Sequence, residues 1–234
     1  MLHSPVRSRI FFITGTDTGV GKTVLTCLLA RRLRRTGKSV AALKPLCSGG
    51  RGDAHAIRAA LDDALTLDQI NPWHFRAPLA PVLAARQERR RVTLGAVTEH
   101  IRRVQEGFEY VIVEGAGGLL SPLGERFDSR DVITALRSLP IVVSANRLGA
   151  INQVMLVLSA LPLHLSRCAP IVLVAPRTSG DVNRYNLDWL SEFTDPNRIH
   201  ALPWMGRPDH LDVALRRPAV RAAIDSLISP QLTR

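Results

Sequence analysis

One run, Gly15-Thr16-Asp17-Thr18-Gly19-Val20-Gly21-Lys22-Thr23, constrains this chain more than any other feature. Before it, Arg9 to Thr14 carries the apolar core Ile10-Phe11-Phe12-Ile13 and reads as a buried strand. After it, Leu25, Leu28, Leu29 and Leu33 recur at helical spacing within Lys22 to Thr36, and Gly37 stops the helix. Glycines between a strand and a helix let backbone N–H groups turn inward around an anion, and the helix N-terminus adds positive potential there. A lysine opening the helix reaches the terminal phosphates of a nucleotide, and the hydroxyl beside it is a Mg²⁺ ligand. Thr16 stands where the common G-x-x-x-x-G-K-[ST] pattern has its first glycine, so this loop is a variant, with glycines at 15, 19 and 21.

The same alternation continues along the chain. Ser39 to Lys44, Glu109 to Val113, Pro140 to Ala145, Ala169 to Val174 and Ile199 to Leu202 read as strands; Asp53 to Ala64, Leu94 to Glu106 and Ile151 to Leu161 read as helices. Near-continuous apolar strands interleaved with helices imply an α/β fold of the P-loop NTPase type, a mostly parallel sheet with helices on both faces. With no repeat, low-complexity tract or linker, residues 1–234 are expected to form a single domain. Nothing approaches the roughly 18 apolar residues of a membrane span, and the apolar stretch at 10–13 is too short for a signal-peptide core, so a cytoplasmic protein is expected. Cys27, Cys47 and Cys168, odd in number and far apart, give neither a disulfide framework nor a zinc pattern.

The formal charge of +11 admits nucleic acid, a membrane surface or an anionic small substrate. Only Lys22, Lys38 and Lys44 are lysines; the other basic residues are arginines, in runs such as 31, 32, 34 and 35, then 86, 89, 90 and 91. No aromatic residues interleave as a stacking platform would need. The first run closes a helix, where cations suit the negative dipole end. A solvated arginine surface is therefore expected, with no nucleic-acid partner and no membrane.

Three further places carry chemistry. Lys44, in Leu43-Lys44-Pro45-Leu46-Cys47-Ser48-Gly49, ends a strand where ligands of open parallel sheets bind, so it faces the phosphates or is merely a solvated strand terminus. Asp53 opens a helix, as an N-cap or a metal ligand. Glu114, in Val113-Glu114-Gly115-Ala116-Gly117-Gly118, puts a carboxylate at the tip of an apolar strand, where such folds hold Mg²⁺.

Taken in order, G-T-D-T-G-V-G-K-T, A-L-K-P-L-C-S-G, D-A, V-E-G-A-G-G, L-G-A-I-N and A-L-P-W resemble the dethiobiotin synthetase family, from about Phe11 to Met205. The resemblance implies a homodimeric, ATP- and Mg²⁺-dependent ligase with a seven-stranded, mostly parallel sheet. Its substrates would be 7,8-diaminononanoate, CO₂ or bicarbonate, and ATP; its products dethiobiotin, ADP and phosphate. Residue by residue, it implies that Thr23, Asp53 and Glu114 hold Mg²⁺ and that Lys22 and Lys44 act catalytically on the phosphoryl group and carbamate. Gly19, Val20, Gly21, Lys22, Thr23, Val24, Asp53, Glu114, Gly115, Ala116, Gly117, Pro203, Trp204 and Met205 would contact the nucleotide. Thr18, Lys44 and Ser48 would line the diamine and carbamate site, and Gly149, Ala150, Ile151 and Asn152 would receive the substrate carboxylate from the partner subunit. Without the resemblance, Leu148 to Asn152 reads equally as an ordinary helix start.

The family's adenine-reading asparagine is absent. Val174-Ala175-Pro176-Arg177 places a proline there, with neither a side-chain amide nor a backbone donor; Asn186 or the backbone of Pro203 to Met205 is the available substitute. Other readings fare worse. A partitioning-type ATPase needs a lysine where Asp17 stands, and the residues after Met205 are too few for the glutaminase domain of a cobyrinate amidase. A basic nucleic-acid-binding P-loop protein is the alternative from a different class.

Overall fold

Strands apolar on both faces must be covered from both sides, and that is how the chain folds. The computed structural model describes residues 9–177, 182–206 and 210–232. Its strands are β1 (Arg9–Gly15), β2 (Val40–Leu43), β3 (Leu46–Ser48), β4 (Trp73–Phe75), β5 (Tyr110–Glu114), β6 (Leu139–Ala145), β7 (Ile171–Val174) and β8 (Ile199–Leu202). Its helices are α1 (Lys22–Arg35), α2 (Gly52–Ala60), α3 (Leu67–Ile70), α4 (Pro81–Gln87), α5 (Leu94–Gln105), α6 (Ser129–Leu136), α7 (Ala150–Ala160), α8 (Leu163–Ser166), α9 (Val182–Phe193), α10 (Leu211–Arg216) and α11 (Pro218–Leu232).

Six strands form one sheet in the order β2-β5-β1-β6-β7-β8, every neighbouring pair parallel. β1 therefore lies between β5 and β6, and the loop after it opens at the crevice where parallel sheets bind ligands. Ile13, Leu25, Val111, Ile112, Val142 and Val172 are wholly buried in the core between the sheet and its covering helices.

The sheet has six strands among the described residues, not the seven implied by the resemblance. After Lys44 the chain leaves this sheet. The Lys44 N–H donates to the Ile70 carbonyl, and Pro45 has no N–H to extend the ladder. The chain turns away instead, and Leu46 to Ser48 pairs in parallel with Trp73 to Phe75 as a separate two-stranded ribbon. The helix expected to reach Ala64 ends at Ala60, because Asp62 and Asp63 adopt left-handed backbone (φ 52° and 58°).

The arginine run of α1 is ion-paired as well as solvated. Arg31 pairs with Asp62 and, at 2.9 Å, with Asp212; Arg35 meets the same Asp212 at 2.9 Å. Arg32 grips Asp225 with two hydrogen bonds of 2.6 and 3.0 Å. These pairs tie α10 and α11 onto the helix that starts at the phosphate loop.

Candidate functional site

The glycine-rich loop leaves β1 and enters α1 through Gly21, whose left-handed backbone (φ 104°) caps the helix without a side-chain hydrogen bond. The first-turn N–H groups consequently face the loop, where they suit an anion. A Cβ on Gly21 would also come within 3.0 Å of Val174 Cγ2, so the end of β7 leaves no room for a side chain. Asp17 Oδ1 accepts from the Thr18 N–H at 2.7 Å, and the Asp17 carbonyl accepts from Lys22 Nζ at 2.7 Å, which folds the lysine back over the loop.

Beside the loop, four side chains converge. Lys44 Nζ donates to Glu114 Oε1 at 2.6 Å and to the Gly115 carbonyl at 3.3 Å, and it pairs with Asp53 Oδ2 at 2.9 Å. The Thr23 hydroxyl donates to the same Glu114 Oε1 at 2.8 Å. Lys44 is buried, not a solvated strand terminus, and Asp53 is not the N-cap: it lies inside α2, behind the N-cap Arg51, with its carboxylate on Lys44.

Electrostatics follow from burial and pairing. Burial and the neighbouring Lys44 charge lower Lys22 to about 8, against the pull of Glu114, Asp53 and Asp17. Burial also works against the Lys44 charge, but Glu114 and Asp53 outweigh it and raise Lys44 above the ordinary lysine value. Asp53 is held below the usual carboxylate range, since Lys44, Thr23 and Lys22 overcome its burial. Cys47, next to this cluster, is pushed up to about 11 by burial, which makes its thiol a poor nucleophile.

Glu114 Oε2 is buried and has no hydrogen-bond partner. An unpartnered carboxylate oxygen is costly in such a place. Together with the Thr23 hydroxyl and the Asp53 carboxylate it makes an all-oxygen donor set that fits Mg²⁺. Among the described residues no three of His, Cys, Asp or Glu gather as a self-sufficient metal centre. The set therefore suits a cation that takes its remaining ligands from phosphate oxygens and water, as Mg²⁺ does.

The loop after β5 closes the other side. Gly117 is left-handed (φ 70°), a Cβ there would strike Ser121 Oγ at 2.4 Å, and that hydroxyl accepts from the Gly118 N–H at 2.9 Å. The Leu119 N–H donates to the Gly15 carbonyl at 3.1 Å, which seats this loop against the phosphate loop. Val20 is buried, Val24 is half-buried against the core, and Ala116 packs on it too. Ser48 ends β3, half-buried, and Thr18 is exposed at the loop's rim.

Two groups of expected residues stand apart from the cluster. Gly149 caps α7, and Ala150, Ile151 and Asn152 form its first turn; among the described residues they share none of the hydrogen bonds or ion pairs that join Lys22, Thr23, Lys44, Asp53 and Glu114. Pro203, Trp204 and Met205 follow β8, beyond β7 from the phosphate loop. Asn186, considered as a base reader, is buried and donates through Nδ2 to Asn146 Oδ1 at 2.8 Å and to the Arg147 carbonyl at 3.1 Å.

Sequence reasoning missed Asn71. This buried side chain donates to the carbonyls of Lys44 (2.7 Å) and Pro45 (3.3 Å), and its Oδ1 accepts from Arg51 at 3.1 Å. It thereby fixes the backbone that aims Lys44. An Asn-Pro pair signals a turn, and nothing local distinguishes a turn asparagine from a buried clamp.

A family profile described as "AAA domain" matches residues 9–208. The chain is 44% identical over 157 residues to the ATP-dependent dethiobiotin synthetase BioD of Anaeromyxobacter sp. (strain Fw109-5), covering 65% of this chain and 70% of the relative. It is 36% identical over 225 residues to the protein of the same name from Anaeromyxobacter dehalogenans (strain 2CP-C), covering 94% and 99%. Among solved structures, the MinC:MinD cell division protein complex of Aquifex aeolicus superposes with a TM-score of 0.59 at 14% identity, covering 96% of each chain. That likeness establishes the fold: a P-loop NTPase-type parallel sheet flanked by helices.

Proposed function

The chain belongs to the ATP-dependent dethiobiotin synthetases, and from that premise we propose how the cluster around Lys44 and Glu114 serves their reaction. The enzyme is an ATP-dependent cyclo-ligase that makes dethiobiotin. In our reading, one amine of 7,8-diaminononanoate takes up CO₂ to give a carbamate. The carbamate oxygen attacks the γ-phosphorus of ATP and ADP leaves. The second amine then attacks the carbonyl carbon of the mixed anhydride, phosphate departs, and the ureido ring closes.

Each step needs positioned cations rather than a protein nucleophile. Lys22, folded over the loop, balances charge on the transferred phosphoryl group. Lys44, fixed by Glu114 and Asp53 on one side and by the Asn71 clamp behind it, offers a compact charge to carbamate and phosphoryl oxygens. The inward N–H groups of residues 19–24 and the Gly115 to Gly117 turn hold the nucleotide's phosphates, while Thr18 and Ser48 line the diamine. Thr23, Asp53 and Glu114 would hold Mg²⁺, which when bound neutralises negative charge shared among phosphate oxygens. The observation that carries this reading is the buried Lys44–Glu114–Thr23 contact set beside the glycine loop, with Glu114 Oε2 left for a further ligand.

A homodimer fits the same reading: the α7 N-terminus at Gly149 to Asn152 suits a carboxylate, and would serve the partner's substrate. Leu148 beside it is 88% exposed, an apolar side chain suited to an interface. We take residues 1–234 to act as one domain in the cytoplasm. The test is ATP hydrolysis with and without diaminononanoate and bicarbonate, with mass detection of dethiobiotin. ATP turnover that is indifferent to the diamine and yields no dethiobiotin would overturn the proposal.

A further inference from the structure

Arg51 stands two residues before Asp53 and is the N-cap of α2. The His55 N–H donates to the Arg51 carbonyl at 3.0 Å, so the backbone at Arg51 fixes where Asp53 enters the helix. The side chain leads to the end of α3 instead. Its Nε donates to Asn71 Oδ1 at 3.1 Å, and its Nη2 lies 2.9 Å from the carbonyls of Leu67 and Asn71 and from Asp68 Oδ1. Carbonyls that end a helix lack intrahelical donors, and a guanidinium supplies them.

Beyond Asn71 lies Lys44. The Asn71 side chain is wholly buried, and the amide that accepts from Arg51 donates to the Lys44 carbonyl at 2.7 Å. The links close a ring: Arg51 along the backbone to Asp53, Asp53 Oδ2 to Lys44 Nζ at 2.9 Å, the Lys44 carbonyl to Asn71, and Asn71 back to Arg51. Arg51 thus joins the helix that carries Asp53 to the clamp that aims Lys44. Surface stability does not account for it, since Asp68 is 84% exposed and so open an ion pair contributes little. A planar fork serves the Asn71 oxygen and the two carbonyls at once, which the single ammonium of a lysine cannot.

We infer that Arg51 is a positioning residue for the reaction, acting through Lys44: it aims that lysine from behind by way of Asn71 and holds Asp53 opposite its ammonium. The inference rests on the reading of Lys44 as a catalytic cation, and it adds a residue outside the cluster on which that cation depends. Misplacing a reacting group by about 1 Å, or loosening the groups that orient it, costs about 10- to 100-fold in rate.

Steady-state kinetics of the full chain, with dethiobiotin detected by mass, test it. Arg51→Ala should lower kcat by about 10- to 100-fold and leave the KM for ATP within about twofold. Asn71→Asp keeps an oxygen for Arg51 but removes the donors to Lys44, and kcat should fall in the same range. In a Lys44→Ala background, Arg51→Ala should cost no more than about twofold further, because its route to the reaction is already gone. Acylation by acetic anhydride without substrate gives a second readout: Lys44 should label about fivefold faster or more in Arg51→Ala, with Lys22 as the internal reference. Should Arg51→Ala not melt cooperatively, Arg51→Lys, which keeps the charge without the fork, takes its place with the same expectations. A folded variant with kcat within about twofold of the unmodified enzyme overturns the inference, as does a larger further loss in the Lys44→Ala background. Unchanged Lys44 labelling overturns it too. An unmodified protein that makes no dethiobiotin overturns the proposed reaction instead, while the labelling, which needs no substrate, still reports whether Arg51 holds Lys44.

Discussion

Lys44 Nζ and Glu114 Oε1 lie 2.6 Å apart across the carboxyl ends of β2 and β5, one register step beyond the Leu43–Val113 pair, with Lys44 5% and Glu114 1% exposed. Neither charge is tolerable there alone: removing one partner of a buried pair costs about 3–5 kcal/mol. The pair holds Lys44 beside the phosphate loop, at a position where an apolar pair would serve stability as well.

Lys44→Ala should therefore lower kcat by about 10²-fold or more, by analogy with removing one donor to developing charge. Lys44→Arg should fail too, because a planar fork replaces a compact ammonium wedged between two carboxylates. Steady-state kinetics decide the role. A raised KM for the diamine with kcat intact would make Lys44 a binding residue only.

Glu114→Gln keeps the side chain's shape but removes the charge that Lys44 and Thr23 share. Turnover should fall and the Mg²⁺ requirement should move to higher concentration. A Mg²⁺ titration of initial rates that superposes on that of the unmodified enzyme would reduce Glu114 to a structural partner of Lys44.

Lys22→Ala leaves the loop's N–H groups in place and deletes its main point charge. Nucleotide binding should weaken and turnover should be lost. Near-normal turnover would remove the loop from the reaction.

His200, buried on β8, has its proton affinity lowered by burial. Below the ordinary histidine value of about 6.5 the unfolded chain takes up a proton that the folded one resists. Stability should hold above that pH and fall as pH drops through the window down to the lowered folded value. Thermal midpoints from pH 7.5 to 5 should show this decline, and His200→Gln should flatten it. Parallel curves for the two proteins would place the loss elsewhere.

The phosphate loop was legible because its chemistry dictates spacing over nine consecutive residues (15–23) between two elements of strong periodicity. Glu114 was legible for a similar reason, as an acid ending an apolar run. Asp53 was not: the sequence offers an N-cap and a ligand equally, and only the fold shows its carboxylate on Lys44. The clamp by Asn71 and the β3–β4 ribbon depend on where Pro45 sends the chain, which no local pattern encodes. The arginine run of α1 likewise finds Asp212 and Asp225 far along the sequence, so its partners are a product of topology.

β1 carries the phosphate loop, yet Phe11 pairs with Ile112 on one side and with Leu139 on the other. As the chain is synthesised from its N-terminus, the loop emerges early but both neighbours of its strand are made much later. Until β6 has left the ribosome, β1 has no complete set of neighbours, and the loop keeps its internal bonds but lacks those from the Thr16 N–H to the Val143 carbonyl and from the Leu119 N–H to the Gly15 carbonyl. Closing such distant contacts is entropically slow. A motif translated ahead of both neighbours of its strand thus waits for them, and its seat is complete only once β5 and β6 have joined β1.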